Sequence, residues 1–398
     1  MNFYTKIFIG AAIISFFVKL FLAQFMTSFG DLLTYKAWGV YLAEHGSNSF
    51  YSNLWSDYLP GYLYVLWFLS KISSILQLQG ILIPDYFLYK LPSMLADIGN
   101  AYFIFKIVQY FTSKRNALIL SIIALFNLAF LYNSTFWGQS DSFLTLFLLS
   151  SFYYLLSGRY WLSAILLAFG QTVKPVAVFS IPLYIIYICF KNRYLTVINY
   201  LLIFAIVIVL LFIPFNNNHN IFQFIIDRHL VTSNQYPYTT LHALNFWSML
   251  DQFWTSDKLM FLNLDYQKWG YILFGLVYLL VISILLRKKE RNLPVIFSYA
   301  LSICYLAMFL FLTRMHERHM FYGLGLLMLI TPTISRFSNL VISMLYLTYV
   351  FSLYYALSQS NQRPLMVERI IIEIISLVSL IILAYIIVLF YKKNDKNT

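Results

Sequence analysis

"TVINYLLIFAIVIVLLFIPF", Thr196 to Phe215, decides what kind of fold this chain can adopt. Twenty residues pass without a charge, between Lys191-Asn192-Arg193 on one side and Asn216-Asn217-Asn218 on the other. A bilayer core roughly 30 Å thick takes about 20 helical residues to cross. In lipid, a helix satisfies every backbone donor and acceptor internally, so such a run can cross there. The same pattern extends outward in both directions. Apolar segments fall near 6–26, 59–79, 86–112, 116–135, 139–157, 160–174, 175–190, 196–215, 270–286, 294–312, 319–336, 338–357 and 368–391, about 13 in all. Two gaps are long, 27–58 and 216–269.

Composition agrees. Of 398 residues 61% are hydrophobic and 11% charged, where a soluble domain is about half apolar and about a quarter charged. The expectation is an all-α polytopic membrane protein, one domain over residues 1–398, with 27–58 and 216–269 as outer loops. The N-terminal segment is long and lacks a small-residue cleavage site, so it reads as an uncleaved first helix rather than a signal peptide.

The formal charge of +12 invites a nucleic-acid reading, but its distribution excludes one. Lys and Arg sit in short runs between apolar segments: Lys114-Arg115, Lys191-Asn192-Arg193, "RKKER" at 287–291 and "KKNDK" at 392–396. That is how cytoplasmic loops are marked. Cys189 and Cys304 lie in separate apolar segments without metal-like spacing, as packed thiols do.

With those runs cytoplasmic, 136–141, the Lys174-Pro175 turn, 216–269, 313–318 and 358–367 face the opposite side. Before residue 114 the count conflicts, because three apolar segments separate the N-terminus from Lys114-Arg115. Either a segment within 59–112 is re-entrant or split, or that basic pair breaks the rule. The acidic 27–58 stretch favours an outer position for itself.

Ionisable groups at membrane level are costly, and each is a functional candidate. Here Asp31, Asp57, Asp141, Lys174, Arg314, His316, Glu317, Arg318 and His319 all fall near segment ends on the expected outer face. Each also has a plain structural reading. Ser28 and Asp31 suit a helix start, and Asp141 suits a helix dipole. Lys174 can snorkel, and Arg318 can pair with Glu317 or Asp257. Together, cations suit a lipid-linked phosphate and a carboxylate suits a general base that deprotonates a hydroxyl. Tyr35, Trp38, Tyr41, Phe50, Tyr51, Trp55 and Tyr58 crowd the first long gap and suit stacking on sugar rings, although interfacial belts use the same residues.

Five stretches occur in order: "GDLLTYKAW…SDYLPGYLYVLW", "KLPSMLAD", "NSTFWGQSDS", "KPVAVFSIP" and "TRMHERHMF". Over roughly 28–325 they resemble bacterial glycosyltransferases of the GT-C superfamily, and within it the branch related to the second GPI mannosyltransferase. The resemblance implies a polyprenyl-phosphate sugar donor, an outward-facing site in the bacterial cell membrane, and an acceptor that is a glycan, glycolipid or protein. It also implies roles. Asp31 matches the family's catalytic Asp, and Asp57 with Tyr58 the motif that opens the second span. Trp137, Gln139 and Asp141 match a Trp-Gly-Gln-x-Asp turn, Lys174 a Lys-Pro turn, and Arg314, His316, Glu317 and Arg318 a Met-His-Glu-Arg-Tyr stretch. Leu59 stands where a proline is usual and His319 where a tyrosine is, which touches sugar and acceptor identity.

The reading is therefore an inverting hexosyltransferase, mannose favoured, with Asp31 as base and Lys174, Arg314 and Arg318 as phosphate ligands. No metal-ligand spacing is apparent, although Asp31, Asp57, His316 and His319 could bind a divalent ion. A transporter or flippase of lipid-linked sugars would also want cations and aromatics, but the inverted repeats common in transporters are not visible. A polysaccharide polymerase or ligase shares the many spans and the long outer loop, but an early Asp favours the first reading. Orientation is checked directly: cysteines introduced at Ser233 or Ser256 should react with a membrane-impermeant thiol reagent in intact cells. Labelling only after permeabilisation would reverse the assigned sides.

Overall fold

The computed structural model describes residues 3–25, 29–191, 193–250, 253–287, 292–359 and 365–395. Ser28, Asn192 and most of the 287–291 basic run, all used in the sequence reading, lie outside the described residues, as does Lys396. The chain is helical nearly throughout. Every apolar segment expected above coincides with helix, and among the described residues seven helices are long and apolar enough to cross a membrane. They are Phe3–Leu22, Lys114–Trp137, Tyr194–Phe215, Tyr266–Leu286, Leu293–Phe311, Arg336–Gln359 and Arg369–Lys393. Asp141–Leu156, Tyr160–Val173 and Pro175–Phe190 are shorter apolar helices.

The two long gaps are not irregular loops. Within 27–58 lies the helix Phe29–His45. Leu32, Tyr35, Trp38 and Leu42 recur at three- and four-residue spacing and are buried, which is the stripe of an amphipathic helix. Within 216–269 lie the helix Ile221–Asn234, capped by the Asn220 side chain, and a two-stranded hairpin of Met260–Phe261 with Leu264–Asp265. Both Cys189 and Cys304 are free thiols, the latter buried.

Two compact units divide the chain. The first comprises Met1–Phe103, Ser121–Ile181 and Lys191–Gln235; the second Ile104–Leu120, Pro182–Phe190 and Tyr236–Thr398. In the first, Phe29–His45 packs on Pro60–Leu78, which packs on Tyr160–Val173. The last also packs on Asp141–Leu156 and Tyr194–Phe212. In the second, Leu293–Phe311 is buried without a break from Val295 to Leu310, wrapped by Tyr266–Leu286, Phe321–Leu327 and Arg369–Asp395. A helix apolar on all sides either fills a core or faces lipid, and the chain has both kinds. Tyr194–Phe212 turns Ile198, Leu202, Ile206 and Leu210 outward at four-residue spacing.

Gly61 sets one of these packings. A Cβ there would stand 2.5–2.7 Å from Thr172, backbone carbons and oxygens included, so only glycine lets Pro60–Leu78 approach the end of Tyr160–Val173 this closely. Gly61→Ala should cost about 1–3 kcal/mol, the usual toll of overpacking. Thermal unfolding in detergent should show a lower midpoint for it, and no change for Gly10→Ala, which meets nothing within 4 Å.

Candidate active site

Asp31 lies in the first turn of Phe29–His45 and is half-buried. Its Oδ2 accepts from the Trp137 indole N–H at 2.7 Å and from the Gln139 amide at 2.8 Å. Tyr35, one turn further along, stands on the same helix face. Its hydroxyl is 2.7 Å from that of Tyr58 and reaches Gln139 Oε1 at a longer 3.4 Å; the Tyr58 hydroxyl is 3.1 Å from Ser140 Oγ. Burial, with the nearby tyrosines and Asp31 adding to it, raises the Tyr35 pKa well above the usual phenol range, so it stays a hydrogen-bond donor at neutral pH. Trp38 packs against Trp55 and Tyr58, completing an aromatic wall.

The turn that carries Trp137 and Gln139 is unusual backbone. Tyr132–Trp137 is a π-helix, a form that clusters at functional sites. Gly138 then takes φ +85°, and the N–H groups of Gly138 and Gln139 both donate to Asn133 O at 3.0 Å. A side chain at 138 would be strained by that φ and would meet Lys90 Cγ at 2.8 Å. Ser93 Oγ donates to Gln139 O at 2.6 Å, which fixes the turn from the Asp85–Val108 helix.

Asp141 opens the next helix and has no exposed surface. It accepts from Asn133 Nδ2 at 3.1 Å and pairs with Lys174 Nζ at 2.5 Å. Lys174 ends Tyr160–Val173 in an extended conformation, the one a following proline favours, and Pro175 starts the next helical turn. Asp31, Tyr58, Trp137, Gln139, Asp141 and Lys174 thus belong to one unit, where hydrogen bonds link the first four and an ion pair the last two. Asp57 is half-buried beside them in sequence. The cation near it is one the sequence reading passed over: Arg228 donates to Ser56 O at 2.7 Å and lies 3.9 Å over the Tyr51 ring.

The remaining candidates belong to the second unit. Arg314 adopts φ +65° and donates through Nε to Asp257 Oδ2 at 2.7 Å. Residues Met315–His316 pair in parallel with Thr240–Leu241. Arg318 Nη1 donates to Glu317 Oε1 at 3.1 Å and lies 3.2 Å from His316 Nδ1. His319 Nδ1 accepts from the His316 backbone N–H at 3.3 Å, and its ring stacks on Tyr322. Each of the three cations read as phosphate ligands therefore has an acid beside it, and of the two partners open to Arg318 the structure gives it Glu317. Among the described residues no three His, Cys, Asp or Glu side chains come together as a metal site.

A buried network under the Asp31 turn was also missed. Lys19, fully buried, pairs with Asp97, fully buried, at 2.6 Å. Asp97 also accepts from Ser134 and, at 2.5 Å, from Ser142, one residue on each side of the turn. The signals existed: a lysine inside the first apolar run, and the last residue of "KLPSMLAD".

What the fold defines is a polytopic all-α integral membrane protein whose polar side chains gather around buried carboxylates. Residues 55–313 match glycosyltransferase family 87, well over half of the chain, and the protein belongs to that family, a GT-C-type family of glycosyltransferases. Trp137, Gln139, Asp141 and Lys174 lie within the matched range; Asp31 and the 314–319 stretch lie outside it. No curated protein matches the chain.

Asp97→Ala would leave Lys19 buried without a counter-charge, a loss of about 3–5 kcal/mol. The double variant Lys19→Met/Asp97→Asn removes both charges and keeps an acceptor for the serines. Size-exclusion yield and unfolding midpoint should collapse for the single variant and recover substantially for the double.

Proposed function

We propose that the protein transfers a hexose, mannose favoured, from a polyprenyl-phosphate donor to an acceptor hydroxyl with inversion, on the outer face of a bacterial cell membrane. The reading deepens the family assignment toward the branch related to the second GPI mannosyltransferase. It rests on one observation above all: the half-buried Asp31 carboxylate, oriented by Trp137 Nε1 and Gln139 Nε2 in an aromatic-walled corner.

In this mechanism the acceptor O–H loses its proton to Asp31 as its oxygen bonds to the anomeric carbon. The bond from that carbon to the phosphate oxygen breaks, and the polyprenyl phosphate leaves with the electron pair. Two donors on Oδ2 hold the carboxylate plane, the kind of orientation that lets a proton transfer count toward rate. Lys174, slightly exposed and paired with the buried Asp141, is a cation of the same unit, and the proposal gives it the donor phosphate. Such fixed charge stabilises the leaving group without reorganisation. Arg314 and Arg318 keep the same assignment on residue type alone. The acceptor is a glycan, a glycolipid or a protein. Tyr58 and the exposed indole of Trp55 would flank a sugar ring, with Trp38 packed behind them.

The test is incubation of the purified, lipid-reconstituted protein with radiolabelled polyprenyl-phosphate hexoses and a panel of acceptors. Transfer from the mannosyl lipid is expected, and transfer from none of the lipids would overturn the donor class. Asp31→Asn should insert and unfold like the wild type, since an amide caps a helix about as well as a carboxylate. Its transfer rate should fall by about 100- to 10,000-fold. Near-wild-type transfer would reduce Asp31 to a helix-start residue.

A further inference from the structure

Outside the candidate site, the most conspicuous feature is the hairpin of the second long gap. Leu259, Met260, Phe261 and Leu262 follow one another and are all exposed, Leu262 by 70%. The segment is held in place. Met260 pairs with Asp265 and Phe261 with Leu264, Tyr266 N–H donates to Leu259 O at 3.0 Å, and Lys258 Nζ donates to Gln267 Oε1 at 2.7 Å.

The turn joins the strands through two residues with positive φ, Leu262 at 48° and Asn263 at 63°. Two-residue hairpin turns of this kind ordinarily take Asn, Asp or Gly at both positions. Asn263 conforms, while leucine is a poor fit to positive φ. A strained position is thus occupied by the most exposed apolar side chain of the hairpin. In water that combination has nothing to recommend it, and contiguous exposed apolar residues mark a partner.

The neighbouring helix identifies the partner. Asp265, the last hairpin residue, caps Tyr266–Leu286 by accepting from the Lys268 N–H, and that helix is long and apolar enough to cross a membrane. Trp269 and Tyr271, in its first turns, are of the types that settle at the headgroup level. Trp269 Nε1 donates to Phe261 O at 2.8 Å, tying the hairpin to that level. With a rise of about 3.4 Å per strand residue, the tip lies about 10 Å from the start of the helix. Apolar side chains at interfaces bury about 5–10 Å into the headgroup and acyl boundary. Lys268, exposed and paired with Asp265 at 3.1 Å, adds a cation suited to lipid phosphates.

We propose that the hairpin Met260–Asp265 is a membrane-inserting finger, with Leu259, Met260, Phe261 and Leu262 seated in the leaflet from which Tyr266–Leu286 departs. This holds whatever the donor and acceptor are.

The experiment is site-directed spin labelling of the full chain in phospholipid nanodiscs, with Cys189→Ala and Cys304→Ala and one new cysteine at a time. Oxygen concentrates in the bilayer and a water-soluble nickel chelate does not, so the ratio of their relaxation effects reports lipid contact. Leu276→Cys, on the exposed face of the span, and Ser256→Cys, exposed before the hairpin, supply the two reference values. The ratio at Leu262→Cys should exceed that at Ser256→Cys several-fold and approach that at Leu276→Cys. A ratio equal to that at Ser256→Cys means the finger stands in water, and protection from both reagents means it packs on protein, such as a second copy. Either result overturns the proposal. Met260→Cys gives the same readout if Leu262→Cys accumulates poorly.

Discussion

A carboxylate withdrawn from water must be met by charge and hydrogen bonds, and Asp97 is met from three directions. Lys19 reaches it from the first helix, Ser134 from the π-helical turn and Ser142 from the helix beyond. The energy at stake in leaving such an ion uncompensated is several kcal/mol, comparable with much of a protein's net stability. Satisfying it therefore constrains every segment that contributes a group. The stretch from Ser134 to Ser142 is stapled at both ends, and Ser93 holds its middle through Gln139 O. Trp137 and Gln139 consequently have little freedom, and their donors meet Asp31 because the turn beneath them is pinned.

Other buried carboxylates are met in the same way. Asp141 has Lys174 and Asn133, Asp257 has Arg314 and Thr313, and Glu317 has Arg318. The three cations proposed as phosphate ligands, Lys174, Arg314 and Arg318, each already hold an acid. A lipid phosphate docking at Lys174 would join an existing pair, so its binding would redistribute charge rather than neutralise a bare cation.

Much of the architecture was legible because hydrophobic period and length are local properties. All the apolar segments became helices, and membership of glycosyltransferase family 87 agrees with the superfamily that the ordered motifs resembled. The helix Phe29–His45 was harder to see. Its polar residues and lower hydropathy look like a loop to a search for spans, yet its buried stripe of Leu32, Tyr35, Trp38 and Leu42 has helical period. Lys19 and Asp97 were missed for another reason. They stand 78 positions apart, and nothing local to either announces the other.

By itself the sequence determined the solvent. Runs such as Thr196–Phe215 match the width of a bilayer core and carry no charge, as a membrane-spanning helix does. It also determined which residue types stand at the segment ends, since an ionisable group there is tolerated only with a partner or a purpose. Only the tertiary structure decided the partners: Trp137 and Gln139 for Asp31, Lys174 for Asp141, Lys19 for Asp97, Asp257 for Arg314. Helix formation is settled within a few turns of chain. The pairing of buried charges depends on which helices meet, and that is a property of the whole packing.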